Sequence, residues 1–196
     1  MKHPALPAAA ALLALAFVVG AAAADLAPLY RQLENTRHIK EGAQTPKSVL
    51  YVFFDANCYY CKLTWKALQP YEEIGLQVRW IPVAYQQDSS AGMAAAILQA
   101  RSPAAALREN ETRYSTRSYD GGIKPLASVA PEIKRALDAH MRLMRQFGAQ
   151  GTPVVVWKDA RGNVGYRNGV PRLSELPGIT GLPAQKNDDP ELKEFR

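Results

Sequence analysis

The sequence predicts a mixed α/β fold, and this prediction rests on two strands joined by a helix. Residues 49–54 form an apolar run rich in β-branched and aromatic side chains, which is typical of a strand buried on both faces. Cys61, Trp65 and Leu68 follow at helical spacing and share one face. Residues 76–81 alternate at first and predict a second strand. Strand, helix and strand at this spacing predict a βαβ unit with parallel strands and a right-handed crossover.

The remaining elements follow from apolar periodicity and from glycine and proline. Pro70 is expected to close the first helix, and Pro82 is expected to end the second strand. Residues 154–157 and 164–167 predict an antiparallel hairpin. Residues 186–196 are charged, show no core-facing pattern and are expected to form a loose tail. Further helices are predicted at residues 26–33, 90–100, 103–112, 131–147 and 173–179.

Residues 1–24 predict a signal peptide that directs export. Residues 1–3 are a short basic start, an alanine- and leucine-rich stretch follows, and residues 22–24 are alanines suited to cleavage before Asp25. An uncleaved membrane anchor is the alternative, because the apolar stretch is nearly long enough to span a bilayer. The weak hydrophobicity of alanine favours cleavage, which leaves a mature chain of the size expected for one domain.

The charge of the chain points away from nucleic acid. The formal net charge is +6, and it falls to +5 if the signal peptide is removed, because Lys2 is the only charged residue in that segment. Acidic and basic residues are interspersed, and no basic run is interleaved with aromatic residues. We therefore interpret the basic residues as a solvated surface.

The two cysteines of the chain, Cys58 and Cys61, flank Tyr59 and Tyr60. Cys58 is expected at a helix N-terminus, where unpaired N–H groups and the helix dipole stabilise a thiolate, the reactive form in thiol–disulfide exchange. A structural disulfide is one alternative, but a bridge between residues three apart removes little entropy from the unfolded chain. A zinc site is disfavoured, because the chain has three histidines and His3 lies in the signal peptide; no metal or other cofactor is expected.

Three segments resemble the catalytic domain of the periplasmic DsbC/DsbG thiol:disulfide interchange proteins, which have a thioredoxin fold. The segments are FFDANCYYC at 53–61, VRWIPV at 78–83 and QGTP at 150–153. The long helical interval before the third segment is similar to the helical subdomain inserted in Dsb-type proteins. The resemblance therefore implies a thioredoxin-like α/β fold with an inserted helical subdomain, in the periplasm.

The resemblance also implies a domain organisation. It covers roughly residues 48–182 as the catalytic domain, with the helical insertion at about 86–148. Residues 25–47 remain as an N-terminal helix or linker, without the family's N-terminal dimerisation domain, and 183–196 remain as a charged tail. The chain is expected to be a monomer or a weak homodimer, with the N-terminal helix either docked on its own domain or paired with a second copy.

The roles of the site residues are implied in the same way. Cys58 attacks a substrate disulfide, and Cys61 resolves the mixed disulfide. Pro153 is implied to be a cis-proline beside the cysteines, although the sequence alone leaves cis and trans open. The bend would leave the Thr152 backbone free to pair with a substrate strand, and the Thr152 hydroxyl would tune the thiolate. The implied substrate-binding residues are Tyr59, Tyr60, Thr152 and Pro153.

Three other residues near these motifs have competing interpretations. Asp55 is either a helix cap or a proton acceptor for Cys61, and the cap is favoured. His140 borders the apolar stripe of its helix and is expected to be a packed or half-exposed residue rather than a catalyst. Trp65 is expected to be a core residue.

Together these features predict an exported thiol:disulfide oxidoreductase of isomerase or reductase type. No cation lies between Cys58 and Cys61, so a mild redox potential is expected. The alternatives are a monomeric DsbA-like thiol oxidase and a non-catalytic assembly factor or holdase. The expected partners are substrate proteins with disulfides or oxidised cysteines, and a membrane thiol reductase as electron donor.

Overall fold

A five-stranded mixed sheet forms the centre of the protein. The computed structural model describes residues 26–196, so the predicted signal peptide lies outside the described residues. The strands are β1 (Ile39–Gly42), β2 (Ser48–Asp55), β3 (Leu76–Val83), β4 (Val154–Lys158) and β5 (Val164–Asn168). Their order is β1-β3-β2-β4-β5, with β2 and β3 parallel and the other neighbours antiparallel. The predicted parallel βαβ unit and the C-terminal hairpin are confirmed.

Helices cover both faces of this sheet. They are α1 (Ala27–Glu34), α2 (Tyr59–Glu72), α3 (Ser90–Gln99), α4 (Pro103–Thr112), α5 (Pro131–Gln146) and α6 (Leu176–Thr180), with 3-10 turns at Leu173–Glu175 and Pro190–Phe195. The helices α3, α4 and α5 lie between β3 and β4, which is the interval where an insertion is expected. Among residues 26–196, no helix combines the length and the apolar character needed to span a bilayer.

Two apolar clusters, one on each face of the sheet, hold these layers together. Leu50, Val52 and Phe54 of β2 pack with side chains of α2, α3 and α4. Tyr51 and Phe53 point to the opposite face and pack with α1 and the C-terminal half of α5. This alternation confirms that β2 is buried on both faces, and it shows α1 docked on its own domain. The docked side chains of α1 are Tyr30 and Leu33.

The strand β1 lies in residues 25–47, where only a helix is predicted. Its burial alternates, but the alternation places a glutamate, Glu41, at a buried position. Glu41 accepts hydrogen bonds from the indole N–H groups of Trp65 at 3.0 Å and Trp80 at 3.1 Å, and it pairs with Arg108 at 2.7 Å. These partners offset the cost of burying a carboxylate. Trp65 is a core residue, as expected, and the hydrogen bond from its indole N–H to Glu41 connects α2 to β1.

Pro82 does not end the second predicted strand, because β3 continues through Val83. β1 pairs with β3 only as far as Trp80, so β3 has a neighbour on one side at Pro82, and a missing N–H is tolerated there. The Pro82 carbonyl lies 2.8 Å from Nδ1 of His140. Because a carbonyl can only accept, Nδ1 carries the proton, and His140 is a packed helix residue as expected.

The C-terminal segment packs against α2 instead of forming the expected loose tail. Pro70 lies inside α2 rather than at its end, and its missing N–H leaves the Lys66 carbonyl without a helical partner. Asn187 Nδ2 donates to that carbonyl at 2.9 Å. Leu192 is fully buried against the core, a contact that a single leucine in a charged stretch does not reveal in the sequence. The ion pairs to α2 are Lys62–Glu191 and Lys66–Asp189, each at 2.8 Å, together with Lys66–Glu191.

Truncation of Leu192 tests this packing. Leu192→Ala is expected to lower the free energy of unfolding by about 2–4 kcal/mol, because it removes buried methyl groups and leaves a cavity. Lys193→Ala, at an exposed neighbouring position, is the matched control and is expected to change it by less than about 0.5 kcal/mol. Urea denaturation measures both, and equal midpoints for the two variants would contradict the packed C-terminus.

Candidate active site

The two cysteines begin helix α2. Cys58 is the N-cap residue and Cys61 lies in the first turn, as predicted. The Cys58 N–H donates to the Asp55 carbonyl at 2.9 Å, and Cys58 Sγ accepts the Cys61 N–H at 3.3 Å. The sulfur therefore takes the place of the oxygen in an ordinary N-cap. Both residues are free thiols, and both are recessed, with 2% of Cys58 and none of Cys61 exposed.

Hydrogen bonds and burial move the two thiol pKa values apart. The hydrogen bond from the Cys61 side chain has the largest influence on Cys58, and it lowers the Cys58 pKa to about 7 against the opposing effect of burial. Side-chain hydrogen bonds from Thr152 and Gln86 lower the Cys58 pKa further. Burial raises the pKa of Cys61 well above its ordinary value. Near neutral pH, Cys58 is therefore the thiolate and Cys61 holds the proton.

Asp55 does not cap α2, because the N-cap is Cys58. Its fully buried carboxylate instead accepts four hydrogen bonds. One comes from the start of the CxxC turn, one comes from the start of α3, and two come from the loop after β3. The donors are Asn57 N at 3.0 Å and Ser90 Oγ at 2.8 Å on Oδ1, and Tyr85 N at 2.9 Å and Gln86 N at 3.2 Å on Oδ2. The carboxylate thus connects the end of β2 to three neighbouring segments.

The bond between Thr152 and Pro153 is cis, as the resemblance implies. The Thr152 carbonyl lies 3.4 Å from Cys58 Sγ and accepts from the Cys58 thiol when that thiol is protonated. The Thr152 backbone is not free, contrary to expectation, because its N–H donates to the Tyr85 hydroxyl at 2.9 Å. That hydroxyl also lies 3.1 Å from Thr152 Oγ1. A substrate strand that pairs with Thr152 must therefore displace Tyr85, a residue that the sequence analysis does not identify.

A groove of about 610 Å³ opens beside Cys58. Tyr59 is half-buried, and its ring packs 5.8 Å from that of Tyr60 and 5.9 Å from that of Tyr114. Tyr60 is 56% exposed at the groove. Of the predicted substrate-binding residues, these two tyrosines line the groove, whereas Thr152 and Pro153 are not among its lining residues. The lining residues that the sequence analysis misses are Asn57, Gln86, Gln87, Tyr114, Thr116 and Tyr119.

The fold agrees with a comparison against protein families. Residues 36–176 match the model of the thioredoxin-like domain, a span of more than half of the chain. The chain belongs to the thioredoxin-like domain family. The predicted thioredoxin-like fold is therefore confirmed.

Individual relatives place this thioredoxin-like domain near the Dsb proteins, as the resemblance in the motifs implies. It is 29% identical to the thiol:disulfide interchange protein DsbG of Pseudomonas aeruginosa over 78% of this chain and 59% of that protein. DsbG of Escherichia coli is 27% identical over 78% of this chain and 60% of that protein. The chain thus spans about 60% of the length of these relatives. A periplasmic thioredoxin-like protein from Salmonella enterica serovar Typhimurium has the same fold, with a TM-score of 0.61 and 22% identity over 78% of this chain and 94% of that one.

A buried glutamate from α4 lies in the same region of this thioredoxin-like domain. Glu111 Oε1 accepts from Asn110 Nδ2 at 3.1 Å, and Oε2 is buried without a hydrogen-bond partner. Burial raises the pKa of Glu111 to about 8, and the charge of the nearby Cys58 adds to that rise. Glu111 is therefore protonated at neutral pH. Among residues 26–196, no three side chains of the metal-ligating types lie together.

The thiolate assignment can be measured by alkylation. The rate of Cys58 modification by iodoacetamide is expected to rise with pH through a midpoint near 7, while Cys61 stays unmodified in the folded protein. Cys61→Ala removes the hydrogen bond with the largest influence and is expected to shift the midpoint upward. Cys61→Ser, which keeps a donor, is the matched control and is expected to shift it less. A wild-type midpoint near 9, or one that Cys61→Ala leaves in place, would contradict the assignment.

Glu111 predicts a pH dependence of stability. Between the unfolded pKa of 4.5 and the folded value of about 8, the folded protein binds a proton that the unfolded chain has lost. The free energy of unfolding therefore falls as pH rises through this window, by at most about 1.4 kcal/mol per pH unit from this group. Glu111→Gln is expected to remove that slope, whereas Glu132→Gln at an exposed position is expected to keep it. Denaturation at several pH values between 5 and 8 compares them; parallel curves for wild type and Glu111→Gln would reject the assignment.

Proposed function

We propose that this protein is an exported thiol:disulfide oxidoreductase that acts as an isomerase or reductase on other proteins. The observation that carries the proposal is the N-cap thiolate of Cys58, with a pKa of about 7, hydrogen-bonded to the protonated and buried Cys61. A thiolate near neutrality beside a second thiol is what disulfide exchange requires. The relatives named thiol:disulfide interchange proteins support the same chemistry.

The exchange proceeds in two displacements. Cys58 Sγ attacks one sulfur of a substrate disulfide, which forms a mixed disulfide and releases the other substrate sulfur as a thiolate that takes a proton from water. Burial is the main reason that the Cys61 pKa is high, and formation of the mixed disulfide removes the negative charge of Cys58 that raises it further. Cys61 then loses its proton to solvent and attacks Cys58 Sγ, which breaks the mixed disulfide and releases the second substrate sulfur as a thiolate. The products are the Cys58–Cys61 disulfide and a substrate reduced by two electrons.

The surroundings of Cys58 favour the isomerase or reductase over the oxidase. A more strongly depressed thiolate pKa would stabilise the reduced form further and make the disulfide a stronger oxidant. Here Tyr59 and Tyr60 contribute no charge, and the next cation, Lys62, is paired with Glu191 at 2.8 Å. The Cys58 pKa therefore rests on neutral hydrogen bonds. A mild potential suits a protein that must be kept reduced.

Location and partners follow from the same proposal. A cleaved signal peptide would deliver the protein to the periplasm, where a membrane thiol reductase would supply electrons. The substrates would be proteins with incorrect disulfides or oxidised cysteines. The docking of α1 through Tyr30 and Leu33 supports a monomer, because it buries the apolar face that a second copy would otherwise cover. A weak homodimer through other surfaces is the alternative outcome of a sedimentation experiment.

Two assays on the purified mature protein separate these activities. The reduced protein is expected to recover activity from a scrambled multi-disulfide enzyme, and the oxidised protein is expected to reoxidise the reduced enzyme at least about tenfold more slowly. Cys58→Ser is expected to abolish both activities, and Cys61→Ser is expected to accumulate mixed disulfides visible on non-reducing gels. Fast reoxidation without recovery from scrambled protein would favour the DsbA-like oxidase. Absence of both activities in the wild-type protein would favour a non-catalytic assembly factor or holdase.

A further inference from the structure

The groove beside Cys58 has an unusual composition for a protein surface. Its walls come from the CxxC turn, from the loop after β3 and from the loop after α4. Of the described side chains that line it, four are tyrosines and none is an aspartate, glutamate, lysine, arginine or histidine, which leaves the Cys58 thiolate as the one charge among them near neutral pH. The remaining polar groups are neutral amides, one hydroxyl and the Cys58 thiol. The lining residues are Asn57, Cys58, Tyr59, Tyr60, Gln86, Gln87, Tyr114, Thr116 and Tyr119.

Exposed aromatic side chains are concentrated around this reactive thiol. Among residues 26–196, five large apolar or aromatic side chains are exposed, and three of them lie near Cys58: Tyr60 and Tyr119 line the groove, and Tyr85 contacts Thr152. Apolar surface left open around a reactive group marks a site that binds another molecule. Tyr60 and Tyr119 are the two exposed tyrosines of the groove, 56% and 60% accessible.

The backbone of Tyr119 indicates that its exposed ring has a function. Tyr119 has a φ of +57°, and it is the one residue other than glycine with positive φ in the described part of the chain. A bulky side chain in this region is a conformational outlier, whereas glycine or asparagine adopts it cheaply. The Tyr119 carbonyl accepts from Gln87 Nε2 at 2.7 Å, so the loop is held against the opposite wall of the groove. Strain of this kind clusters at functional sites.

We propose that Tyr119 and Tyr60 form a specificity subsite for an aromatic or aliphatic side chain that flanks the reactive cysteine of a substrate polypeptide. The inference rests on the proposed function, because the mixed disulfide at Cys58 is what holds the substrate chain at the groove. Two residues of extended chain span about 7 Å, so side chains next to the bonded cysteine reach the groove walls. The mixed disulfide therefore determines what enters the subsite, namely a side chain next to the bonded cysteine of the substrate.

The chemistry of the walls selects among flanking residues. Tyrosine rings bury apolar area and stack on aromatic side chains, which favours phenylalanine, tyrosine or leucine. A carboxylate that enters the groove loses water, and no cation among the described lining residues compensates for that loss. The nearby cation Lys62 is already paired with Glu191, and its Nζ lies 5.7 Å from the centre of the Tyr114 ring. Lys62 is therefore not free to pair with a carboxylate in the groove. The subsite therefore discriminates against acidic flanks.

Peptide disulfides test this subsite. Three symmetric disulfides of one short neutral peptide would carry phenylalanine, serine or aspartate next to the cysteine, and bis(2-hydroxyethyl) disulfide would report thiol reactivity without flanking residues. In a Cys61→Ser background, the rate of mixed-disulfide formation is followed by intact mass. The phenylalanine peptide is expected to react about tenfold faster than the serine peptide and faster still than the aspartate peptide, as one apolar contact provides.

Variants assign that preference to Tyr119. Tyr119→Asn suits the positive φ and removes the ring, so the fold is expected to persist while the preference for phenylalanine disappears. Tyr119→Phe keeps the ring and is expected to keep the preference, and Tyr166→Asn changes an exposed tyrosine outside the groove and is the matched control. Wild type and Tyr166→Asn are expected to react equally with bis(2-hydroxyethyl) disulfide, and the peptide rates of each Tyr119 variant are divided by its own rate with this small disulfide. Equal rates with the three peptides, or a preference that survives in Tyr119→Asn, would overturn the subsite; no reaction with the small disulfide would overturn the proposed function and the subsite with it.

Discussion

The buried carboxylate of Asp55 is the interaction on which the rest of the site depends. It ends β2, and its four hydrogen bonds hold the CxxC turn, the loop after β3 and the start of α3. The β3 loop in turn places the Tyr85 hydroxyl on the Thr152 amide. One fully buried anion thus sets the relative positions of the reactive thiol and of the loop that contacts it. Removing such an anion would leave several buried donors unpaired, which costs more than the loss of any single bond.

The reactivity of the site comes from the opposite hydrogen-bonding roles of two buried thiols. Cys58 is recessed but accepts hydrogen bonds, so its charged form is stabilised despite low solvent access. Cys61 is fully buried and donates, so its neutral form is favoured. Each preference reinforces the other, because the proton on Cys61 is also the one that stabilises the Cys58 thiolate.

The sequence predicts those parts of the fold whose apolar pattern is local. The strand β2, the helix α2 and the hairpin β4–β5 have continuous or periodic apolar residues, and the structure contains all three. The sequence does not predict β1 or the packed C-terminus, because both are stabilised by residues distant in the chain. In β1, the buried Glu41 is bonded to two tryptophans and an arginine. In the C-terminal segment, a side-chain amide donates to a carbonyl of α2 that Pro70 leaves without a helical partner. At the site, CxxC and Thr152-Pro153 are local motifs, whereas Tyr85 and Tyr119 join them only through tertiary contacts. No spacing rule could reveal those two.

The helical insertion and the active-site turn act as one rigid unit, which links specificity to reactivity. Asn57, next to Cys58, accepts the Gly121 N–H at 3.1 Å on its side chain and the Tyr114 hydroxyl at 3.0 Å on its backbone carbonyl. At Gly121 any Cβ would lie 2.2 Å from the Ala56 carbonyl oxygen, so only glycine allows the loop this close to the turn. The loop after α4, which carries Tyr114 and Tyr119, therefore cannot move away from Cys58 without breaking hydrogen bonds that position the CxxC turn. Under the proposed function, a substrate side chain that fits this loop would meet a nucleophile already in place, and the free energy of that contact would lower the barrier to exchange instead of reorganising the protein.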